Sequence, residues 1–269
     1  MDRISKGVYF ENHFRGCNAS FVVTEEGLVA IDTPMAPDDA KKWLGEMSKY
    51  GRLRYLINTE PHPDHAAGNY WFDCTIVGHE GTRQALQHAD LEDLKGMLKH
   101  MSPGTVLDKE YHYRLPSITF SQNMTLYLGK HTFHLISMPG HTTSQTAVYV
   151  PEEKVVFTGD NVVQRMPIFL GSLPYAWLDS LNRLEKLDVD IIVPGHGNTC
   201  DKTYLPQMRD AVRYCLDSVK SAVNKGMSLE EILEKVTFAD RYPASMKDKQ
   251  ADEIRRGCIK CLYEVITGS

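Results

Sequence analysis

Cysteine is sparse in this chain. Six thiols, Cys17, Cys74, Cys200, Cys215, Cys258 and Cys261, are scattered over 269 residues, too thinly for a disulfide-built scaffold. Long apolar runs are missing as well, and no stretch approaches the roughly 20 residues of a membrane-spanning helix. The first seven residues are polar and lack the apolar core of a secretory signal, so reduced thiols and a cytoplasmic location are expected. Net positive charge is also absent. At −5 overall, the chain has no global basic field to draw it onto nucleic acid or an anionic membrane. Low-complexity segments, internal repeats and long Pro/Gly linkers are lacking, which gives no reason to divide residues 1–269 into several domains.

What is present is globular: 42% hydrophobic and 24% charged residues, in a chain long enough for a sizeable core. Residues 4–10, 17–23 and 28–32 read as short strands. Residues 36–50 predict a helix, with Ala40, Trp43, Leu44 and Met47 at helical spacing. Residues 53–58 form a mostly apolar strand that runs into Thr59-Glu60-Pro61-His62-Pro63-Asp64-His65. Two prolines there argue against regular helix or central strand and predict a loop at a strand's carboxyl end. A short helix at 66–72, a strand at 75–78, a longer helical stretch at 79–100 and a loop at 102–116 follow. The middle is β-rich, at 117–128, 131–138, 146–150 and 154–158. Residues 175–187 carry Trp177, Leu178, Leu181, Leu184 and Leu187 on one helical face. A last strand at 189–193 precedes a mainly helical segment, 203–269, suited equally to walling a pocket or forming a homo-oligomer interface. This α/β order, two β-rich segments each followed by helices, suits two sheets covered by helices.

The chemistry concentrates in four places. Glu60, His62, Asp64 and His65 are all metal-binding types, and alternating side chains on a rigid loop converge on a small volume. His141 follows an apolar strand in Met138-Pro139-Gly140-His141-Thr142. Asp160 follows another in Val156-Phe157-Thr158-Gly159-Asp160, and His196 a third in Ile192-Val193-Pro194-Gly195-His196. Each sits beside glycine, where the backbone turns sharply.

In type, order and strand context, these segments resemble the metallo-β-lactamase superfamily, whose signature is HxHxDH followed by a Gly-His, a Gly-Asp and a final Gly-His. The resemblance spans residues 8–197 and is nearest the glyoxalase-II-like and lactonase-like hydrolases. It implies an αββα sandwich, two mixed sheets flanked by helices, with the site at one edge. It implies two divalent metal ions, one held by His62, His141 and residue 60, the other by Asp64, His65 and His196, with Asp160 bridging. It further implies a metal-bridging hydroxide that cleaves a small-molecule ester, thioester, lactone, amide or phosphoester. Asp64 is the catalytic candidate for orienting that hydroxide and taking its proton.

One position departs from the pattern: residue 60 is Glu where His is usual. Glu60 either ligates as a carboxylate, stays out of the metal shell, or marks a changed function; ligation is the favoured reading. Zinc is the family's expectation, and a third carboxylate makes manganese or iron plausible. A diiron oxidoreductase on the same fold and a non-catalytic metal-binding module are the alternative functions. For substrate contacts the weak candidates are Tyr111, Arg165, Ile168 and Phe169, from the loops expected around the metals. Of the remaining histidines, His79 is expected to cap a helix start, and His131 and His134 to serve a sheet. Cys258 and Cys261 form a CxxC, but the flanks read as helix and no second pair is near. Two small residues one helical turn apart are expected there.

Overall fold

A computed structural model describes residues 1–164, 173–238 and 249–268. The chain opens with an antiparallel meander of β1 (Asp2–Arg3), β2 (Val8–Glu11), β3 (Ala19–Thr24) and β4 (Gly27–Ile31). Helix α1 (Pro37–Met47) then crosses to β5 (Leu53–Ile57), which lies parallel to β4. A short α2 (Pro63–Ala66) and a 3₁₀ turn lead to β6 (Thr75–His79), and α3 (Glu80–Gln87) and α4 (Leu91–Met101) lead to β7 (Ile118–Phe120). Both strands continue the parallel run.

The second sheet is built from β8 (Asn123–Leu128), β9 (His131–Ser137), β10 (Thr146–Val150) and β11 (Val155–Phe157), antiparallel in turn. Helix α5 (Pro174–Glu185) precedes β12 (Ile191–Val193), parallel to β11. Helices α6 (Leu205–Asn224), α7 (Leu229–Lys235) and α8 (Lys249–Thr267) close the chain. Among the described residues, the sheets run β1 to β7 in chain order and β12-β11-β10-β9-β8.

The period of two along each strand sorts side chains into layers. Val22, Val29, Ile31, Ile57 and Val77 of the first sheet meet Phe133, Leu135, Val148, Val155 and Val193 of the second in one buried layer. Their neighbours Phe21, Leu28, Ala30, Leu56 and Ile76 face outward against Ala40, Trp43 and Met47 of α1. On the other side Ala147, Val156 and Ile192 pack under Trp177, Leu181, Met208, Val212 and Leu262 of the carboxyl-side helices. Each large side chain so buried contributes roughly 1.5–3 kcal/mol, which makes the αββα layering the lowest-energy use of this pattern.

Four local expectations change. Residues 79–100 form two helices, because Asp90 caps α4 by accepting from the Glu92 amide. Residues 117–128 split at Ser121-Gln122, so that β7 belongs to one sheet and β8 to the other. Pro63 starts a helical turn inside the motif expected to be a loop; proline at a first helical position loses no hydrogen bond there. The opening strand shortens to Val8–Glu11 behind a turn. The CxxC lies within α8, with Cys258 buried in the apolar layer over the second sheet. His79 caps α3 by accepting from the Gly81 amide, and His131 and His134 lie in β9. No helix among the described residues is long and apolar enough to cross a membrane.

Candidate metal centre

Every candidate ligand follows a strand's carboxyl end at one edge of the sandwich. The 60–65 segment follows β5, His141 follows β9, Asp160 follows β11 and His196 follows β12. At that edge the two sheets are stitched by backbone bonds, Thr146 N–H to Thr59 O at 2.8 Å and Asn18 N–H to Gly195 O at 2.7 Å. The Asn18 side chain adds a bond to Pro194 O at 2.8 Å. Loops from separate strands thus meet at a rigid edge.

The seven sequence candidates converge there. On one side Glu60 Oε2 lies 2.5 Å from His62 Nδ1 and 3.5 Å from His141 Nε2, and the two imidazoles approach to 3.1 Å. On the other, Asp64 Oδ2 lies 3.2 Å from His196 Nε2 and 3.9 Å from His65 Nε2. Asp160 stands between: Oδ1 is 3.3 Å from His65 Nε2, and Oδ2 is 3.4 Å from His196 Nε2 and 3.7 Å from His141 Nε2. Glu60 Oε1 accepts from the Asp160 amide at 3.0 Å and so ties the two halves together. Glu60 and His65 have no exposed side-chain surface, whereas the His62 side chain is 45% exposed and marks the mouth.

Burial opposes charge in Glu60, His62, Asp64, His65, Asp160 and His196, and mutual attraction outweighs it. The carboxyls of Glu60 and Asp64 are held below the usual range chiefly by the His65 cation, and that of Asp160 by His196 and His65. The His196 imidazole rises to about 10 beside Asp160 and Asp64. Such a set of anions and displaceable protons is what a cation site requires. The residues suit a metal ion: the Nε2 atoms of His65 and His196 and Oδ1 of Asp160 are buried without a hydrogen-bond partner. Buried polar atoms without partners are costly, and a metal ion would satisfy all three. The groups Glu60–His62–His141, Asp64–His65–His196 and Glu60–His65–Asp160 each bring their ligand atoms within 4.8 Å of one another. Four imidazoles and three carboxylates suit divalent transition ions.

Sequence reasoning missed the supports. Asp32, at the end of β4 with φ of 54°, accepts from His65 Nδ1 at 2.9 Å, from the Thr59 amide at 2.8 Å and from Thr59 Oγ1 at 2.6 Å. That leaves His65 Nε2 aimed into the site, the usual arrangement behind a ligating histidine. The signal for Asp32 was its position, a lone carboxylate ending an apolar strand. Asn161 accepts from the His141 amide and donates to Met138 O, while Trp177 donates to Asn161 O and packs edge-on to the His141 ring. Gly195 has no room for a side chain: a Cβ there would stand 1.9 Å from Asp160 Oδ1. Cys17 also lies against Asp32 and His65, and burial pushes its thiol up to about 12, which keeps it protonated in the metal-free protein.

The substrate candidates fare differently. Tyr111 is 6% exposed and donates its hydroxyl to Ala67 O at 2.9 Å, so it serves packing beneath α4 rather than offering that group to a substrate. Burial of an aromatic body with its polar tip satisfied is the commoner use of tyrosine. Arg165, Ile168 and Phe169 lie outside the described residues.

The family model described as the metallo-beta-lactamase superfamily matches residues 13–196. Among curated relatives, a linear primary-alkylsulfatase of Pseudomonas sp. (strain ATCC 19151) is 23% identical over 260 residues, 78% of this chain and 48% of its own. A hydroxyacylglutathione hydrolase of Hyphomonas neptunium is 29% identical over 180 residues, 63% of this chain and 58% of its own. The chain therefore spans about half the length of these relatives. Among solved structures, the stereoselective inverting sec-alkylsulfatase Pisa1 from Pseudomonas sp. superposes with a TM-score of 0.70 at 15% identity, covering 97% of this chain and 49% of that one.

Proposed function

Since the chain belongs to the metallo-beta-lactamase superfamily, we propose that it is a metal-dependent hydrolase of a small-molecule ester-type bond. Two divalent ions would be held by Glu60, His62 and His141 on one side and by Asp64, His65 and His196 on the other, with Asp160 within reach of both. The observation that carries this reading is the placement of Asp160, with one oxygen 3.3 Å from His65 and the other 3.4 Å from His196 and 3.7 Å from His141.

When bound, the ions supply a lowered pKa for water and a Lewis acid for the substrate's oxygen. The chain's own residues do the rest. Asp32 keeps the His65 proton on Nδ1 and its Nε2 lone pair inward. Asp64 Oδ2, on a side chain 13% exposed, takes and returns a proton at the reacting centre. Sheet-edge backbone bonds hold both halves in register, so little reorganisation is needed on binding.

Glu60 sets the metal preference. With Glu60 the residues that would hold two divalent ions carry three carboxylates, one negative charge more than the usual set with His at that position. A less positive, oxygen-richer site favours manganese or iron over the zinc expected of the family. Cleavable groups include thioesters, lactones, amides and phosphoesters. The hydroxyacylglutathione hydrolase relative supports the thioester, and the alkylsulfatase relative adds the sulfate ester. The third carboxylate also keeps a diiron oxidoreductase as a second reading, recognisable by visible iron absorption and oxygen consumption.

The test is the metal content of the purified protein by plasma mass spectrometry, alongside hydrolysis of p-nitrophenyl acetate, p-nitrophenyl sulfate and an acyl-glutathione. About two equivalents per chain, one or fewer in Asp160→Ala, and turnover of one ester class are expected. Undiminished stoichiometry in Asp160→Ala overturns the shared-ligand role, and metal-free, inactive protein overturns the enzyme.

A further inference from the structure

A second concavity lies apart from the residues of the metal centre. It has a volume of about 460 Å³ and is enclosed by α4 and the segment that follows it. Leu91, Leu98, Val106, Leu107 and Tyr111 form its apolar wall. Leu98 is 2% exposed and closes the floor, whereas Val106 is 83% exposed and stands at the rim. An apolar side chain held that far into solvent gains nothing by itself and is buried by anything that enters. The volume is that of a small-molecule site.

Its charge is one-sided. Lys95, Lys99 and Lys109 line it against a single carboxylate, Asp108. Asp108 accepts from Trp71 Nε1 at 3.4 Å, and Lys95 is paired with Glu92 at 2.6 Å. Lys99 and Lys109 have no ion-pair partner among the described residues. The positions follow from the helix: Leu91, Lys95, Leu98 and Lys99 recur at i, i+4, i+7 and i+8 and so share one face of α4. Lysine stems lie along apolar surface while their ammonium groups stay at its edge. The result is an aliphatic wall with a cationic lip.

From this we infer that the α4 cavity binds an amphiphilic anion, a single aliphatic chain carrying a carboxylate or sulfate head, with the chain against Leu91, Leu98, Val106 and Leu107 and the head between Lys99 and Lys109. The inference is independent of the reaction at the metal centre. Tyr111 forms one wall and donates to the carbonyl of Ala67, two residues after His65, so an occupant touches a side chain anchored on the turn that carries a ligand.

The probe is decanoate, titrated calorimetrically into the metal-loaded protein. Saturable binding is expected, about fifteenfold weaker for octanoate because each of the two missing methylenes is worth roughly fourfold. Decanol, without the charge, and acetate, without the chain, bind at least about tenfold more weakly. The exposed changes Lys99→Glu with Lys109→Glu, and separately Val106→Asp, weaken decanoate by about tenfold or more while circular dichroism stays unchanged. Equal decanoate affinity in wild type and both variants places the binding elsewhere, the metal centre included, and overturns the proposal. Equal affinity for decanol overturns the anionic head. Binding to phosphatidylglycerol vesicles without binding of monomeric decanoate overturns the single-chain ligand in favour of a membrane surface.

Discussion

Replacing Asp32 by asparagine removes a charge while keeping shape and backbone. Asparagine tolerates the left-handed region that residue 32 occupies at φ 54°, so strain does not change. The hydrogen bonds do. The carboxylate accepts from three donors at 2.6–2.9 Å, Thr59 N–H, Thr59 Oγ1 and His65 Nδ1. The amide offers one accepting oxygen, and its NH₂ stands either at the Oδ1 position, against the Thr59 N–H donor, or at the Oδ2 position, facing both Thr59 Oγ1 and His65 Nδ1. In the second orientation Nδ1 must accept, so the one proton that neutral His65 keeps sits on Nε2, the atom 3.3 Å from Asp160, where a metal would need the lone pair. The loss is one buried hydrogen bond to a charged acceptor, about 1.5–3 kcal/mol. Felt wholly at the metal, that is roughly 10–150-fold in affinity, in line with the 10–100-fold typical of such partners. The assay is chelator competition on wild type and Asp32→Asn, with thermal unfolding of both metal-free proteins as a control for the fold. Affinities within twofold of each other, with unaltered unfolding, would refute the positioning role of Asp32.

Three further outcomes are expected. Glu60→His removes a negative charge from the centre and shifts the metal recovered from cells toward zinc; an unchanged metal profile on plasma mass spectrometry contradicts the ligating role of Glu60. Gly195→Ala drives a Cβ to within 1.9 Å of Asp160 Oδ1 and 2.8 Å of the Gly159 backbone, so it lowers melting temperature and metal stoichiometry together, and two equivalents at an unaltered melting temperature would count against it. Finally, metal binding releases protons: burial opposes the charge on His196, but Asp160 and Asp64 raise it to about 10 in the metal-free protein, so affinity climbs as pH rises from about 6 to 9. The metal-free fold shows the opposite sign, since this raised histidine stabilises it fully below about 6.5 and loses that contribution as pH rises through about 10. Flat metal affinity across that window, read by competition at fixed ionic strength, would rule out the displaced proton.

Local chemistry was legible in the sequence wherever it depends on neighbours along the chain. Short apolar runs between polar turns mark β3, β4, β5 and β9, and each metal-binding side chain could be placed just past a strand because proline or glycine ends the run beside it. The αββα layering itself came with the resemblance carried by those motifs. What the sequence did not show depends on partners far away in the chain. Ser121-Gln122 reads as part of one long strand, and only the pairing of β7 with β6 and of β8 with β9 shows that the two pieces belong to different sheets. Asp32 reads as an ordinary strand-end acid until His65, 33 residues on, is brought to it at 2.9 Å. Tyr111 reads as a loop aromatic within reach of substrate, and folding commits its hydroxyl to Ala67, 44 residues back. Pattern determined which residues are available for ligation and which faces are apolar. Only tertiary packing, which pairs donors and acceptors across the chain and leaves Nε2 of His65 and His196 buried and unsatisfied, decided which polar groups support the fold and which are left to hold an ion.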